Sequence, residues 1–181
     1  MPKTFSPVHT IHDELVPVHS AYTLAIKTKP IPANLQSKAT IVLLDGNNKM
    51  TDQKGIYSTH YLPEGSGAPE GGMVSTQTKY FGRYTVTIDT TPPSIKPYNI
   101  SNGKNLAKAK TIAVIIGDNL TNIKSYRAMI DGKWVLMEYE YKKAILFYEF
   151  DERVGEGKHT FEVTVTDGRD NSRTYKADFM R

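Results

Sequence analysis

Short segments in which apolar and polar residues alternate recur along the whole chain. In GRYTVTID, the side chains of Tyr84, Val86 and Ile88 share one face and polar residues occupy the other. The segments HTFEVTVTD and RTYKADF repeat this period of two, which is typical of half-buried β-strands. No segment shows the 3.6-residue period of an amphipathic helix. The pattern therefore predicts an all-β protein built from short antiparallel strands.

Turn-forming residues separate the strand-like segments. The Asp131-Gly132 pair lies between IKSYRAMI and KWVLMEYEY and is the strongest hairpin signal in the chain, because both residues tolerate a positive φ. Residues 63–72, rich in glycine and proline, contain no large apolar side chain and predict a mobile loop. The first twenty residues lack any period and predict an extended arm.

Two consecutive prolines divide the sequence. Pro92 and Pro93 lack backbone donors and hold their neighbours extended, so residues 89–97 are predicted to form a stiff linker that keeps the modules in a preferred, elongated orientation. A chain of 181 residues is long enough for two domains. We therefore predict two tandem immunoglobulin-like antiparallel β-sandwich domains, one over residues 1–91 with the N-terminal arm and one over residues 92–181.

Composition narrows the possible functions. The net charge of +4 is scattered along the chain instead of forming a basic stripe, so we predict no nucleic-acid partner. The longest apolar run is far too short to span a bilayer, and cysteine is absent, which excludes disulfides and thiolate metal sites. No signal peptide opens the sequence, so we expect either a cytosolic protein or a piece whose export signal lies upstream.

Histidines near the N-terminus suggest a metal site. His9, His12 and Asp13 lie close together, and His9 with Asp13 gives the H-x-x-x-D spacing of one zinc-ligand motif in lysostaphin-type peptidases. Those enzymes also need an H-x-H motif to complete three protein ligands, and this sequence has none. We favour a solvated arm here, and predict no metal ion, cofactor or catalytic residue for this chain.

Acidic turns offer a second possible metal site. Asp118, Asp167, Asp170 and Asn171 carry oxygen ligands on loops, and such loops bind calcium when they gather at one end of a sandwich. Their spacing matches no specific calcium motif. Asp and Asn in turns also satisfy local backbone groups, and we favour that structural role.

The segment KWVLMEYEYKK carries large apolar groups on both faces. Trp134 and Leu136 lie on one face, opposite a second face formed by Val135, Met137, Tyr139 and Tyr141. A strand covered on both sides explains this pattern and is the interpretation we favour. An exposed face, in contrast, would stack on sugars or receive a partner protein. For that case the candidate binding residues are Trp134, Leu136 and Glu138.

Several segments resemble a known family. DTTPPSIKPYNISNGKNL, IKSYRAMIDGKWVLMEYEYKKAILFYEFDE and GKHTFEVTVTDGRDNSRTY resemble the C-terminal immunoglobulin-like region of Bacteroidetes proteins that carry an M23-type (lysostaphin-like) zinc peptidase domain. PVHSAYTLAIK and KYFGRYTVTIDTTPP are similar to the region before it. GKWVLMEY is the most distinctive piece. VTDGRDN departs from the D-N-x-G-N-like turn that commonly closes such modules.

The resemblance implies a non-catalytic accessory role. It implies export to the periplasm or cell surface, with the peptidase ligands lying upstream of residue 1. The tandem modules are then expected to position or support an M23-type peptidase, with peptidoglycan, a glycan or another envelope protein as partner and a monomeric state. The alternative is a cell-surface adhesion or glycan-binding module that uses exposed aromatic residues.

Overall fold

The alternating segments form β-strands in the computed structural model, which describes residues 3–59 and 71–181. The chain divides into two units, Met1–Thr90 and Thr91–Arg181. In each unit two sheets enclose one cluster of buried apolar side chains. The predicted fold class, all-β with two β-sandwich units, is confirmed. The described residues include no helix long and apolar enough to cross a membrane.

The first unit contains seven strands among its described residues. They are β1 (His9–Ile11), β2 (Tyr22–Lys27), β3 (Ala39–Leu44), β4 (Met50–Asp52), β5 (Ile56–Ser58), β6 (Met73–Thr78) and β7 (Gly82–Ile88). A 3-10 helix, Ala33–Lys38, leads directly into β3. One sheet has the order β1-β7-β3-β4 and the other β2-β6-β5. Ile41, Val74 and Val86 are fully buried between them.

Strand β7 is buried on both faces, so the prediction of a half-buried strand is wrong. Thr85 and Thr87 are as inaccessible as Tyr84 and Val86. The cause is the N-terminal arm, which is part of the fold and not a free extension: β1 pairs with β7, and Ser6 Oγ accepts the Val86 N–H at 2.9 Å. Hydroxyl groups on the second face are satisfied by this arm.

The second unit contains nine strands. They are β8 (Ser94–Pro97), β9 (Lys104–Asn105), β10 (Thr111–Gly117), β11 (Ile123–Ile130), β12 (Lys133–Val135), β13 (Glu138–Glu140), β14 (Ile145–Glu149), β15 (Lys158–Asp167) and β16 (Ser172–Met180). One sheet has the order β13-β14-β10-β8 and the other β12-β11-β15-β16-β9. Phe161, Val163 and Val165 of β15 point inward and are fully buried, as their alternation predicts.

Two segments of the second unit differ from prediction. KWVLMEYEY is not one strand: β12 belongs to one sheet and β13 to the other, and the chain crosses between the sheets at residues 136–137. The predicted linker at residues 89–97 is shorter than expected, because Ser94–Pro97 pairs with β10. The predicted mobile loop at residues 63–72 lies outside the described residues except for Gly71 and Gly72.

Candidate functional site

Trp134 lies on the edge strand β12, Leu136 on the connection that follows it, and Glu138 on β13 of the other sheet. Trp134 is 54% exposed and Leu136 is 64% exposed, whereas Val135 and Met137 are buried. Because β12 is the outermost strand of its sheet, nothing in that sheet lies beyond Trp134. Since Trp134 and Leu136 are exposed, residues 3–59 and 71–181 do not cover this face, and the interpretation in which both faces are covered is wrong for this part of the chain. We call Trp134, Leu136 and the exposed Glu138 the edge patch.

A tight turn positions the edge patch. Asp131 and Gly132 both have positive φ, 52° and 75°, which is the type I′ geometry that joins two antiparallel strands. The Asp131 carboxylate accepts the Thr160 N–H at 2.8 Å and contacts His159 Nδ1 at 2.6 Å. His159 Nε2 lies 2.9 Å from the carbonyl oxygen of Gly155. The His159 ring thus contacts an oxygen atom with each of its two nitrogens.

The groups around Asp131 favour its ionised carboxylate form. Burial alone would raise the pKa of the Asp131 carboxyl, but hydrogen bonds from His159 and the Thr160 backbone hold the pKa below its ordinary value, and nearby Lys133 adds to this effect. The His159 ring also packs on Phe179, with 5.4 Å between ring centroids. The hairpin that carries Trp134 is thus fastened to the body of the sandwich.

The histidine candidates do not form a metal centre among the described residues. His9 lies exposed in β1, and His12 stacks on Phe81 with centroids 4.8 Å apart. His12 Nδ1 accepts the Asp13 N–H, and Asp13 Oδ1 accepts the Leu15 N–H. These groups organise a local turn, which explains their close spacing in the sequence.

The calcium candidates gather only in part. Asp118 and Asp167 each place one carboxylate oxygen within 4.8 Å of the other. Asn171 donates its side-chain N–H to Asp167 Oδ2 at 2.7 Å, and Asp170 instead pairs with Lys124 at 2.6 Å. The Asp167 carboxylate also accepts backbone N–H groups of the following turn. These are the local backbone and side-chain contacts expected of Asp and Asn in turns.

A groove lined by tyrosines lies at one end of the second unit, and the sequence did not predict it. Its volume is about 630 Å³, within the range of small-molecule sites. The polar side chains of its lining come from two segments of the chain, the connection between β10 and β11 and the residues around the second 3-10 helix: Asp118, Asn122, Tyr139, Tyr141 and Lys142. We call it the tyrosine groove.

The tyrosine rings form a corner in this groove. Tyr139 and Tyr141 meet edge to face, at 88° and with 6.0 Å between centroids, and Tyr126 lies 6.2 Å from Tyr139 on the other side. Tyr141 is 82% exposed, although the alternation of its segment placed it on the covered face. It lies in the 3-10 helix Tyr141–Lys143, which breaks the strand period. Burial, with the neighbouring tyrosines, raises the pKa of Tyr139, so its phenol stays neutral at physiological pH.

Comparisons with known proteins complete the description. No curated protein matches the sequence. The structure is similar to the fibronectin(III)-like modules of CbhA from Clostridium thermocellum, with a TM-score of 0.39 and 12% identity over 96% of this chain and 93% of that one. It is also similar to dimeric latent PorU from Porphyromonas gingivalis, with a TM-score of 0.40 and 13% identity over 98% of this chain and 24% of that one. In sequence, residues 1–89 match the family described as the Zu5-like domain.

Proposed function

We propose that this chain is a pair of non-catalytic β-sandwich modules of a cell-envelope protein, which position or support an M23-type peptidase. The observation that carries the proposal is the edge patch. Trp134 and Leu136 are large apolar side chains held in solvent on a fastened hairpin, and exposed apolar groups of this kind commonly mark interaction surfaces.

Two further observations support this function. Zu5-like domains are typically non-catalytic modules, and the match covers the first unit. The class of partner in this proposal is taken from the sequence resemblance of the second unit to the region that accompanies M23-type peptidases. Glu138, two residues after Leu136 in the chain, adds an exposed charged side chain to the edge patch.

Pull-down and hydrolysis assays test the proposal together. The purified chain, supplied with zinc, should release no muropeptides from isolated sacculi, and it should bind a soluble M23-type peptidase domain encoded by the same gene. Trp134→Ala should weaken that binding by about 2 kcal/mol, roughly 30-fold, because central tryptophans dominate interface energies. Tyr80→Ala, which removes an exposed aromatic side chain from the first unit, is the matched control. Muropeptide release by the chain alone would refute the non-catalytic role.

A second candidate function is cell-surface adhesion through glycan binding. It is favoured by the concentration of exposed aromatic side chains in the second unit, including Trp134 and Tyr141. A glycan array probed with the native chain and with Trp134→Ala separates the two functions. Glycan binding that Trp134→Ala abolishes would assign the edge patch to a sugar instead of a peptidase domain.

A further inference from the structure

We infer that the tyrosine groove is a binding site for a short neutral oligosaccharide, and that it does not include Trp134. Ile123 borders the groove at one end of β11, whereas Trp134 pairs with Met129 near the other end. Six residues of strand separate these positions, which corresponds to about 20 Å. The inference goes beyond the proposed function, because Trp134, whose side chain carries the proposed peptidase contact, lies this far from the groove, although Glu138 directly precedes Tyr139 in the chain.

The aromatic corner suits a ring-shaped ligand with apolar faces. A sugar ring presents C–H groups on its faces and hydroxyl groups around its edge. The open face of Tyr141 offers a stacking surface, and Tyr139 stands at 88° to it as a second wall. A sugar ring bound in this corner would therefore have the Tyr141 ring against its face and the Tyr139 ring along its edge.

Polar groups around the corner match the edge of a sugar. The Asn122 side chain is exposed and makes no hydrogen bond within residues 3–59 and 71–181, so its amide offers both a donor and an acceptor. Lys142 adds a donor. Sugar hydroxyl groups both donate and accept hydrogen bonds. The donors and the acceptor of Asn122 and Lys142 therefore suit a sugar better than a ligand that only accepts hydrogen bonds.

The charges of the groove favour a neutral ligand. Asp118 and Lys142 contribute one charge of each sign to the lining. A phosphorylated or strongly acidic ligand would meet the Asp118 carboxylate, and a cationic peptide would meet the Lys142 ammonium. Neither sign is therefore favoured, and the neutral saccharide is the occupant whose chemistry fits both the rings and the charges.

Two-dimensional NMR titration of the full chain tests the inference. The probes are chitotriose, cellotriose and maltotriose at concentrations up to about 10 mM, a range that detects weak sites. At least one probe should shift the amide signals of Asn122, Tyr139 and Lys142 while leaving those of Lys133–Val135 unchanged. If no probe shifts the groove signals, or if the shifts centre on β12, the inference is wrong.

Variants at exposed tyrosines give the second readout. Tyr141→Ala should weaken binding of the same probe about 3- to 10-fold, because one stacking surface is lost. Tyr98→Ala removes a similarly exposed tyrosine of the second unit that does not line the groove, and it should bind as the native chain does. Unchanged affinity in Tyr141→Ala, or an equal loss in Tyr98→Ala, would overturn the assignment. Neither result depends on whether the edge patch binds a peptidase.

Discussion

Asp131→Asn should destabilise the second unit by loosening the hairpin that carries Trp134. The Asp131 carboxylate receives hydrogen bonds from the Thr160 N–H and from His159, and Asn keeps the turn geometry while removing the charge. A hydrogen bond to a charged group contributes about 1.5–3 kcal/mol, against about 0.5–1.5 kcal/mol for a neutral one. Replacing the charged acceptor by a neutral one therefore weakens both hydrogen bonds. Because the Asp131 side chain is 46% exposed, solvent screening reduces the total loss of stability to about 1.5 kcal/mol.

Thermal unfolding followed by tryptophan fluorescence measures this loss. Trp134 is the single tryptophan of the chain and lies on the hairpin itself. For a unit of this size, 1 kcal/mol corresponds to about 4–8 °C, so Asp131→Asn should lower the Tm of the second unit by about 6–12 °C at neutral pH. Asp170→Asn is the matched control: Asp170 also has a positive φ, but its bond is an exposed ion pair with Lys124, and the Tm should change little.

The destabilisation caused by Asp131→Asn should become smaller as the pH is lowered. The pKa of Asp131 is lower in the folded state than in the unfolded chain, so the carboxylate stabilises the fold above its unfolded value of about 3.9. That stabilisation disappears as the pH falls through the folded pKa. The native chain and Asp131→Asn should therefore differ fully at pH 7, and the difference should shrink as the pH falls below about 3.9. A Tm unchanged at pH 7, or a difference that does not shrink as the pH is lowered below this value, would refute the reasoning.

Three further substitutions test the packing of the sandwiches. Phe161→Ala should cost about 3–5 kcal/mol in urea unfolding because the side chain is fully buried, whereas Thr164→Ala on the exposed face of the same strand should cost less than about 1 kcal/mol. Equal losses would contradict the inward orientation of Phe161. Ser6→Ala should destabilise the first unit by about 1–3 kcal/mol, since Ser6 Oγ accepts the buried Val86 N–H, and hydrogen exchange at Val86 should accelerate. Native-like exchange there would mean that the arm does not hold β7.

The alternation of apolar and polar residues was sufficient to predict the strands that have one buried face and one face toward solvent. In β15, Phe161, Val163 and Val165 are buried, and Glu162 and Thr164 between them lie on the outer side, because neighbouring residues on a strand point to opposite faces. The Asp131-Gly132 turn was equally predictable, since its positive φ values depend on those two residues alone. Such features are set by a few consecutive residues.

Features set by distant residues were not predictable from the sequence. Burial of Thr85 requires the arm around Ser6, which is nearly eighty residues away in the chain. The crossing of KWVLMEYEY between sheets leaves the alternation of Val135 and Met137 intact, so it gives no local signal. The tyrosine groove joins Asp118 to Tyr141, and no motif connects them. In the sequence, Tyr141 lies between Glu140 and Lys142, and these charged neighbours were the one available indication that its side chain is exposed.

The most direct test of the proposed accessory role is peptidoglycan hydrolysis by an M23-type peptidase domain with and without this chain. Muropeptide release from isolated sacculi should be absent with the chain alone and faster when the chain is joined to the peptidase domain than with that domain by itself. The double variant Trp134→Ala, Leu136→Ala should lose the gain, since both large apolar side chains of the edge patch are then removed. Release by the chain alone, or equal rates with and without it, would contradict the account.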